Sequence, residues 1–249
     1  MKPADFARLF DAQHRGFTDD LRFWLGLADR LGDPILELGC GAGRVLIPLA
    51  EAGHRVIGVD SNPYMLQRLT GRVQPAFEAE VTTVLGELTD LRLNESYPLL
   101  LAPCNTLASL SDPALEQLLI ELRAHLTTDG ALAFEAPPPS AAGLPVEPGE
   151  IIDSFHEPEH NVDVQVSATQ SFDPIRGVAT VQWRYDEMLQ SGEVQRFERT
   201  TEYSLRSPSD FERVLSTAGF EHTQFFGDYE QGPFGEESEI LLVLAHAEP

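Results

Sequence analysis

The run Glu37-Leu38-Gly39-Cys40-Gly41-Ala42-Gly43, with Asp60 following 21 residues after Gly39, carries the residue types and spacing best suited to holding a ligand. Glycines at a strand-to-helix turn let the backbone come close to a bound molecule, and an acid ending the next strand can accept hydrogen bonds from both hydroxyls of a ribose. Two other glycine-loop chemistries fail on residue identity. A dinucleotide fingerprint, G-x-G-x-x-G, needs glycine at position 44 or 46, where Arg44 and Leu46 stand, which disfavours a nicotinamide or flavin site. The phosphate cradle G-x-x-x-x-G-K-[ST] is absent, because the only lysine is Lys2.

The elements that must position these residues follow from periodicity. An amphipathic helix carries Leu21, Trp24, Leu25, Ala28 and Leu31, with Thr18 as its expected cap, and stops at Gly32-Asp33-Pro34. Strand 35–38 enters the glycine turn, helix 44–52 leaves it, strand 55–59 ends at Asp60, and Asn62-Pro63 opens a further helix. Strands 81–85, 99–102 and 131–135 follow, with a helix over 113–126 between the last two. Alternating strands and helices joined by short turns predict a parallel, doubly wound, Rossmann-like sheet, and two final strands, 222–226 and 240–244, bring it to about seven.

The pattern changes at 137–149, where Pro137, Pro138, Pro139, Pro145 and Pro148 exclude helix and central strand. From Asn161 it has period two: Val162, Val164, Val166 and Ala168 alternate with polar residues, and turns fall at 173–177 and 190–193. Residues 161–206 therefore read as an antiparallel meander. Ser207-Pro208-Ser209-Asp210 then reads as a capping box opening a helix to Ala218. The expected division is an N-terminal helical cap (1–34), an α/β core (35–139 and 207–249) and an inserted β subdomain (140–206).

Forty acidic residues against 17 basic ones give a formal charge of −23. A chain with one lysine and scattered arginines is poorly equipped to neutralise phosphates, so neither nucleic acid nor an anionic membrane is an expected partner. The opening Met-Lys-Pro-Ala-Asp-Phe-Ala-Arg shows no apolar export core and no stretch reaches the length of a membrane span, so the expected location is the cytoplasm. The two cysteines, Cys40 and Cys104, are too few for a four-cysteine zinc site and are read as small buried free thiols.

The glycine turn closely resembles the first motif of class I S-adenosylmethionine-dependent methyltransferases, in its acid, glycine spacing and downstream Asp60. Asp60-Ser61-Asn62-Pro63-Tyr64-Met65-Leu66 resembles that family's second motif, and Leu126-Thr127-Thr128-Asp129-Gly130 its "LKPGG" segment. With Arg44 after the glycines and the meander ahead of the last helix, the whole chain resembles the small-molecule branch, the sugar-amine and glycine/sarcosine N-methyltransferases. In those the inserted sheet and N-terminal helices form a lid over the active site. The resemblance implies methyl transfer from S-adenosylmethionine, leaving S-adenosylhomocysteine, to an amine or hydroxyl of a small-molecule acceptor, without a metal. It also leaves open a binding protein of the same fold that holds the cofactor without turnover.

Carried over residue by residue, the resemblance sets Gly39, Cys40, Gly41 and Gly43 along the methionine part and has Glu37 orient its ammonium. Asp60 would hold the ribose, with Ser61, Asn62 and Met65 beside the adenosine. Glu87, where the family has Asp, would accept from the adenine amino group, the Leu88 amide would serve the ring, and Asn105 would lie beside the donor methyl, with Pro103 and Cys104 adjoining it.

Other residues are read from their own chemistry. His156-Glu157-Pro158-Glu159-His160 fits the zinc-protease pattern H-E-x-x-H, but Pro158 obstructs the helix that pattern requires. Ala136-Pro137-Pro138-Pro139 lacks the acid or amide and the aromatic of a base-modifying motif. Phe17, Trp24, Trp183, Tyr185, Tyr203 and Tyr229 suit either an acceptor pocket or the core, and Arg184 and Arg206 either an acceptor carboxylate or a solvated face. His14, His156, His160 and His222 are unranked as bases, His125 is read as structural, and no catalytic residue is named.

Overall fold

Period-two burial sorts the strands of the main sheet into two faces, and that sorting decides which side chains reach the site. The computed structural model describes residues 1–143 and 150–247; Pro145 and Pro148 of the proline run lie outside them. Two helices, α1 (Pro3–His14) and α2 (Leu21–Leu31), precede β1 (Ile35–Leu38), α3 (Leu46–Glu51), β2 (Val56–Asp60) and α4 (Pro63–Thr70). Then come β3 (Val81–Leu85), β4 (Tyr97–Ala102), α5 (Asp112–Ala124) and β5 (Leu126–Ala136). Strands β6 (Ile151–Glu157), β7 (Val162–Asp173), β8 (Val178–Met188) and β9 (Val194–Ser204) form a second sheet, and α6 (Pro208–Thr217), β10 (Phe220–Phe226) and β11 (Leu241–Ala247) complete the chain.

The main sheet has seven strands in the order β10-β11-β5-β4-β1-β2-β3. Its first five strands in sequence run parallel, whereas β11 is antiparallel to both β5 and β10. Leu36, Leu38, Leu100, Ala102, Leu132 and Phe134 face the layer of α5 and α6, where Leu119, Leu122 and Phe211 pack. Ile35, Leu99, Leu101, Ala131 and Ala133 face α2 and α3, against Trp24, Leu27, Leu46 and Leu49. Full burial of each such side chain stabilises by about 1.5–3 kcal/mol, so both helical layers are held by apolar area. Glu37, Asp60 and Glu135 share the parity of this second face and lie at the C-terminal ends of their strands, or next to the end for Glu37 and Glu135.

The second sheet is the antiparallel meander β6-β7-β8-β9. Val162, Val164, Val166 and Tyr185 on it enclose Leu9 of α1. Its end is tied to the core, where Ser204 Oγ donates to the Leu110 carbonyl at 3.1 Å and Arg206 donates to Asp112 and the same carbonyl. Ser207 caps α6 with the full reciprocal box to Asp210 expected from sequence. No helix among the described residues is long and apolar enough to cross a membrane.

Several elements depart from expectation for identifiable reasons. Helix α1 and strand β6 had no sequence signal, since α1 is fixed by packing on α4 and β6, and β6 by its ladder with β7, rather than by strong periodicity. Thr18 does not cap α2, which begins after Asp20; that carboxylate is occupied by Arg44 and Trp24 instead. Helix α3 starts at Leu46 because Gly43, at φ +82°, and its neighbours remain a turn. Strand β5 begins at Leu126, which pairs with Tyr97, and after an irregularity the ladder with β4 resumes at Ala131, so the segment 126–130 belongs to the strand rather than to a free turn. Arg206 is buried and pinned to Asp112, so it lies on no solvated face, whereas Arg184 pairs with the exposed Glu198. Cys104 is exposed rather than buried, because its turn projects beyond the sheet.

Candidate functional site

The C-terminal edge of the parallel strands brings together four turns: those after β1, β2, β3 and β4. Gly39 begins the first at φ +66°, and a Cβ there would lie 2.6 Å from Thr106 Cγ2, so only glycine fits between the turns after β1 and β4. The Gly41 amide donates to Asp60 Oδ2 at 2.9 Å, and the Asn62 amide donates to Asp60 Oδ1 at 2.8 Å. One carboxylate thus clamps the glycine turn to the start of α4. Asn62 caps α4 by accepting from the Tyr64 amide at 3.0 Å, and its Nδ2 donates to the Pro3 carbonyl, tying α1 to the same place.

Glu37 is 3% exposed and its Oε2 has no hydrogen-bond partner. Burial pushes its carboxyl up to about 8; Arg44 opposes the shift, and Asp20 and Asp60 add to it. Arg44 does not neutralise Glu37, because both of its terminal nitrogens are held by Asp20 at 2.6 and 2.7 Å. The sign of the resulting pH dependence follows. With a folded pKa of about 8 against an ordinary 4.5, the folded state keeps a proton the unfolded chain sheds, so stability falls as pH rises across that interval. Glu37→Gln is expected to flatten this slope and to be more stable than wild type near the upper end, by on the order of a few kcal/mol. Denaturant melts across the interval check it, and parallel slopes for both proteins would refute the assignment.

The turn after β4 stores backbone strain. Cys104 and Asn105 are consecutive non-glycine residues at φ 56° and 60°, and Asn105 Oδ1 is buried without a partner. Thr106 Oγ1 donates to the Pro103 carbonyl at 2.6 Å and holds the turn from beneath.

The other expected residues fall as follows. Ser61 and Glu87 are exposed at the ends of β2 and β3, and Leu88 is half-buried in the short 3-10 turn after Glu87. Met65 is buried beneath α1 against Ala7 and Ala42. Cys40 turns its thiol inward against Gly58, so only its backbone borders the edge. Of the aromatics, Trp24 and Tyr185 are core, while Phe17 and Tyr229 stand together with ring centroids 6.2 Å apart.

The four unranked histidines separate by place. His156 and His160 are exposed at the β6–β7 turn, and His222 lies on edge strand β10. His14 lies in the field of Arg44; it stacks on Phe10 at 4.0 Å, and its Nδ1 donates to the Phe10 carbonyl, which leaves Nε2 as the acceptor nitrogen. The H-E-x-x-H helix does not form, since His156 and Glu157 lie in β6 and His160 beyond Pro158. Glu157, His160 and Glu187 do approach within 4.8 Å of one another, but Arg8 bonds both carboxylates.

Sequence reasoning missed two carboxylates near this edge. Asp20 accepts from Trp24 Nε1 and Arg44, and Glu135 on β5 accepts from the Tyr229 hydroxyl at 3.1 Å. A signal for Glu135 existed: a lone acid closing the otherwise apolar run 131–136, at the same sheet end as Glu37 and Asp60. Asp20 had none, since its partner is 24 residues away.

Residues 35–130 match the family model described as a methyltransferase domain. Among curated proteins, the cypemycin N-terminal methyltransferase of a Streptomyces species is 31% identical over 111 residues, 44% of each chain. The chain spans less than half the length of the curated relatives it matches. Among solved structures, the CcbJ methyltransferase of Streptomyces caelestis superposes with a TM-score of 0.75 at 24% identity, over 93% of this chain and 90% of that one. An S-adenosylmethionine-dependent methyltransferase of Clostridium acetobutylicum gives 0.77 at 15% identity, over 98% of both.

Proposed function

The chain carries a methyltransferase domain over residues 35–130 and has the class I S-adenosylmethionine-dependent methyltransferase fold, and on that premise we propose that it methylates a nitrogen or oxygen nucleophile of a small molecule. The observation that carries this reading is Glu37, a buried carboxylate with an unpartnered oxygen beside a glycine turn only a backbone can line. A buried acceptor left unpaired costs about 1–3 kcal/mol, and the ammonium of S-adenosylmethionine supplies the missing donor and charge. The donor set therefore fits that cofactor.

When bound, S-adenosylmethionine supplies a methyl group made electrophilic by its sulfonium. The protein's own part is to bind, orient and exclude water. Gly39, Cys40, Gly41 and Gly43 line the methionine part with backbone, Asp60 takes the ribose hydroxyls, and Ser61, Asn62 and Met65 flank the adenosine. Glu87 and the Leu88 amide meet the adenine, while Pro103 and Asn105 face the reacting end. Holding two reactants at near-attack distance removes on the order of 7–11 kcal/mol from a barrier, so no strong acid or base is required for an amine that arrives neutral. The second sheet with α1 roofs the acceptor, while α2 packs on the main sheet, and the charge of −23 favours a small molecule over nucleic acid.

The test is calorimetric titration of the protein with S-adenosylmethionine and S-adenosylhomocysteine, followed by an assay of S-adenosylhomocysteine formation with pooled small-molecule acceptors. Micromolar binding and turnover are expected. Absence of binding by folded protein refutes the reading, and binding without turnover in any pool reduces it to a cofactor-holding protein.

A further inference from the structure

Six carboxylates are buried among the described residues: Asp11, Asp20, Glu37, Glu135, Glu157 and Glu187. Four of them meet an arginine directly. Asp11 is bonded by Arg15, Arg68 and Arg72, Asp20 by Arg44, and Glu157 and Glu187 by Arg8. Glu37 and Glu135 are ion-paired with no cation among the described residues, and both lie on one face at the C-terminal edge of the sheet. Ionising a buried carboxyl without a counter-ion is expensive, so two such groups at one edge of one sheet mark where positive charge is expected to arrive.

One cation cannot serve both. Strand β4 lies between β1 and β5, which sets the two backbones roughly 10 Å apart, two strand spacings. A single ammonium reaches acceptors at about 3 Å. Under the proposed function, on which this inference rests, Glu37 meets the cofactor's ammonium, and Glu135 is left without a cationic partner.

The surroundings of Glu135 are built for a second cationic group. Tyr229 donates to Oε2 at 3.1 Å and fixes the carboxylate. Arg44 is the cation nearest in effect, and Asp20 already matches it in two bonds. The Phe17 ring, 6.2 Å from that of Tyr229, already carries the Arg44 guanidinium 5.2 Å from its centroid, so the aromatic surface left for a further cation is that of Tyr229. In the adjoining turn, the buried Asn105 Oδ1 is a second acceptor awaiting a donor.

We propose that Glu135, held by Tyr229, is a cation subsite on the acceptor side of the pocket, and that it receives a protonated amine carried by the small-molecule acceptor. Burial pushes the Glu135 carboxyl up, with Tyr229, Arg44 and the Cys104 amide opposing and Asp20 reinforcing, which is the state a cation would reverse on binding.

The test uses shape-matched probes that differ in charge on protein saturated with S-adenosylhomocysteine: cyclohexylamine, protonated at neutral pH, and its uncharged isostere cyclohexanol, titrated by calorimetry into wild type and Glu135→Gln. Affinity for S-adenosylhomocysteine is measured first, so that its failure strikes the methyl-transfer reading and leaves the subsite as a separate question. Wild type is expected to prefer the amine by about tenfold or more, and the variant to lose that preference while binding the cofactor product unchanged. A purely structural role for Glu135 would leave the preference intact, because glutamine still accepts from the Tyr229 hydroxyl. The proposal is overturned if the variant keeps the preference, or if wild type shows none or binds neither probe. It is overturned equally if the variant alters the ratio of S-adenosylmethionine to S-adenosylhomocysteine affinity, which would assign Glu135 to the sulfonium. Should Glu135→Gln not fold, Glu135→Met, of similar volume and without a buried amide, takes its place.

Discussion

Asp60→Ala is expected to weaken S-adenosylmethionine binding by more than about a hundredfold while leaving the protein folded. The carboxylate accepts one backbone amide on each oxygen, from Gly41 and from Asn62. Each oxygen has a second lone-pair direction, so the group can hold the glycine turn and still accept two hydroxyls from a ligand. Hydrogen bonds to a charged acceptor contribute about 1.5–3 kcal/mol each, so losing two gives roughly 3–6 kcal/mol, before any loosening of the turn is counted. Fold should survive because Asp60 is the last residue of β2, and Val56, Ile57 and Val59 behind it remain packed. Calorimetry gives the affinity and near-ultraviolet circular dichroism the fold. A folded variant that binds within tenfold of wild type would remove Asp60 from the site.

Arg8→Met is expected to produce the largest loss of stability among single changes at the lid. Arg8 bridges Glu157 at 2.7 Å and Glu187 at 2.5 Å, all three buried, and so bolts α1 to β6 and β8. Glu157 also accepts the amides of Glu159 and His160. Removing the guanidinium leaves two buried carboxylates facing each other, and breaking a buried pair in this way costs about 3–5 kcal/mol. For a chain of this size that corresponds to a fall in Tm of roughly 6–20 °C. Arg8 holds the Glu157 carboxyl below its ordinary value together with those two amides, so the stabilisation is present above the unfolded pKa and is lost as pH falls through the folded one. The wild-type advantage over Arg8→Met should therefore shrink on acidification. Replacing all three residues with apolar ones should recover most of the loss, since a dry packed cluster competes well with a buried ion pair. A single variant that melts within a degree of wild type would show that α1 is held by Leu9 and its apolar neighbours alone.

The amphipathic runs and glycine turns of the core were legible because each depends on neighbours within a few residues. Strand β3 spans Val81–Leu85 as its β-branched pattern predicts, and the Ser207–Asp210 capping box forms as written. Boundaries moved where a long-range partner intervened, as with Asp20, which gave up capping α2 to Arg44. Strand β6 was invisible for the same reason: Ile151, Ile152 and Asp153 are exposed, and the strand exists through its ladder with β7.

The sequence by itself determined the order of elements, the glycine turn with Asp60 after it, and the resemblance that names a methyl donor. These rest on local periodicity and on residue types at fixed spacing, which the chain carries wherever it folds. Only the tertiary structure decided which charges are compensated. Arg8 meets its two glutamates across 149 and 179 residues, and Arg44 is matched by Asp20 rather than by Glu37. Whether a carboxylate is paired or bare depends on which distant strands and helices lie beside it. That is why Glu135 gains its meaning only once β5, the Tyr229 loop and the Cys104–Asn105 turn stand together.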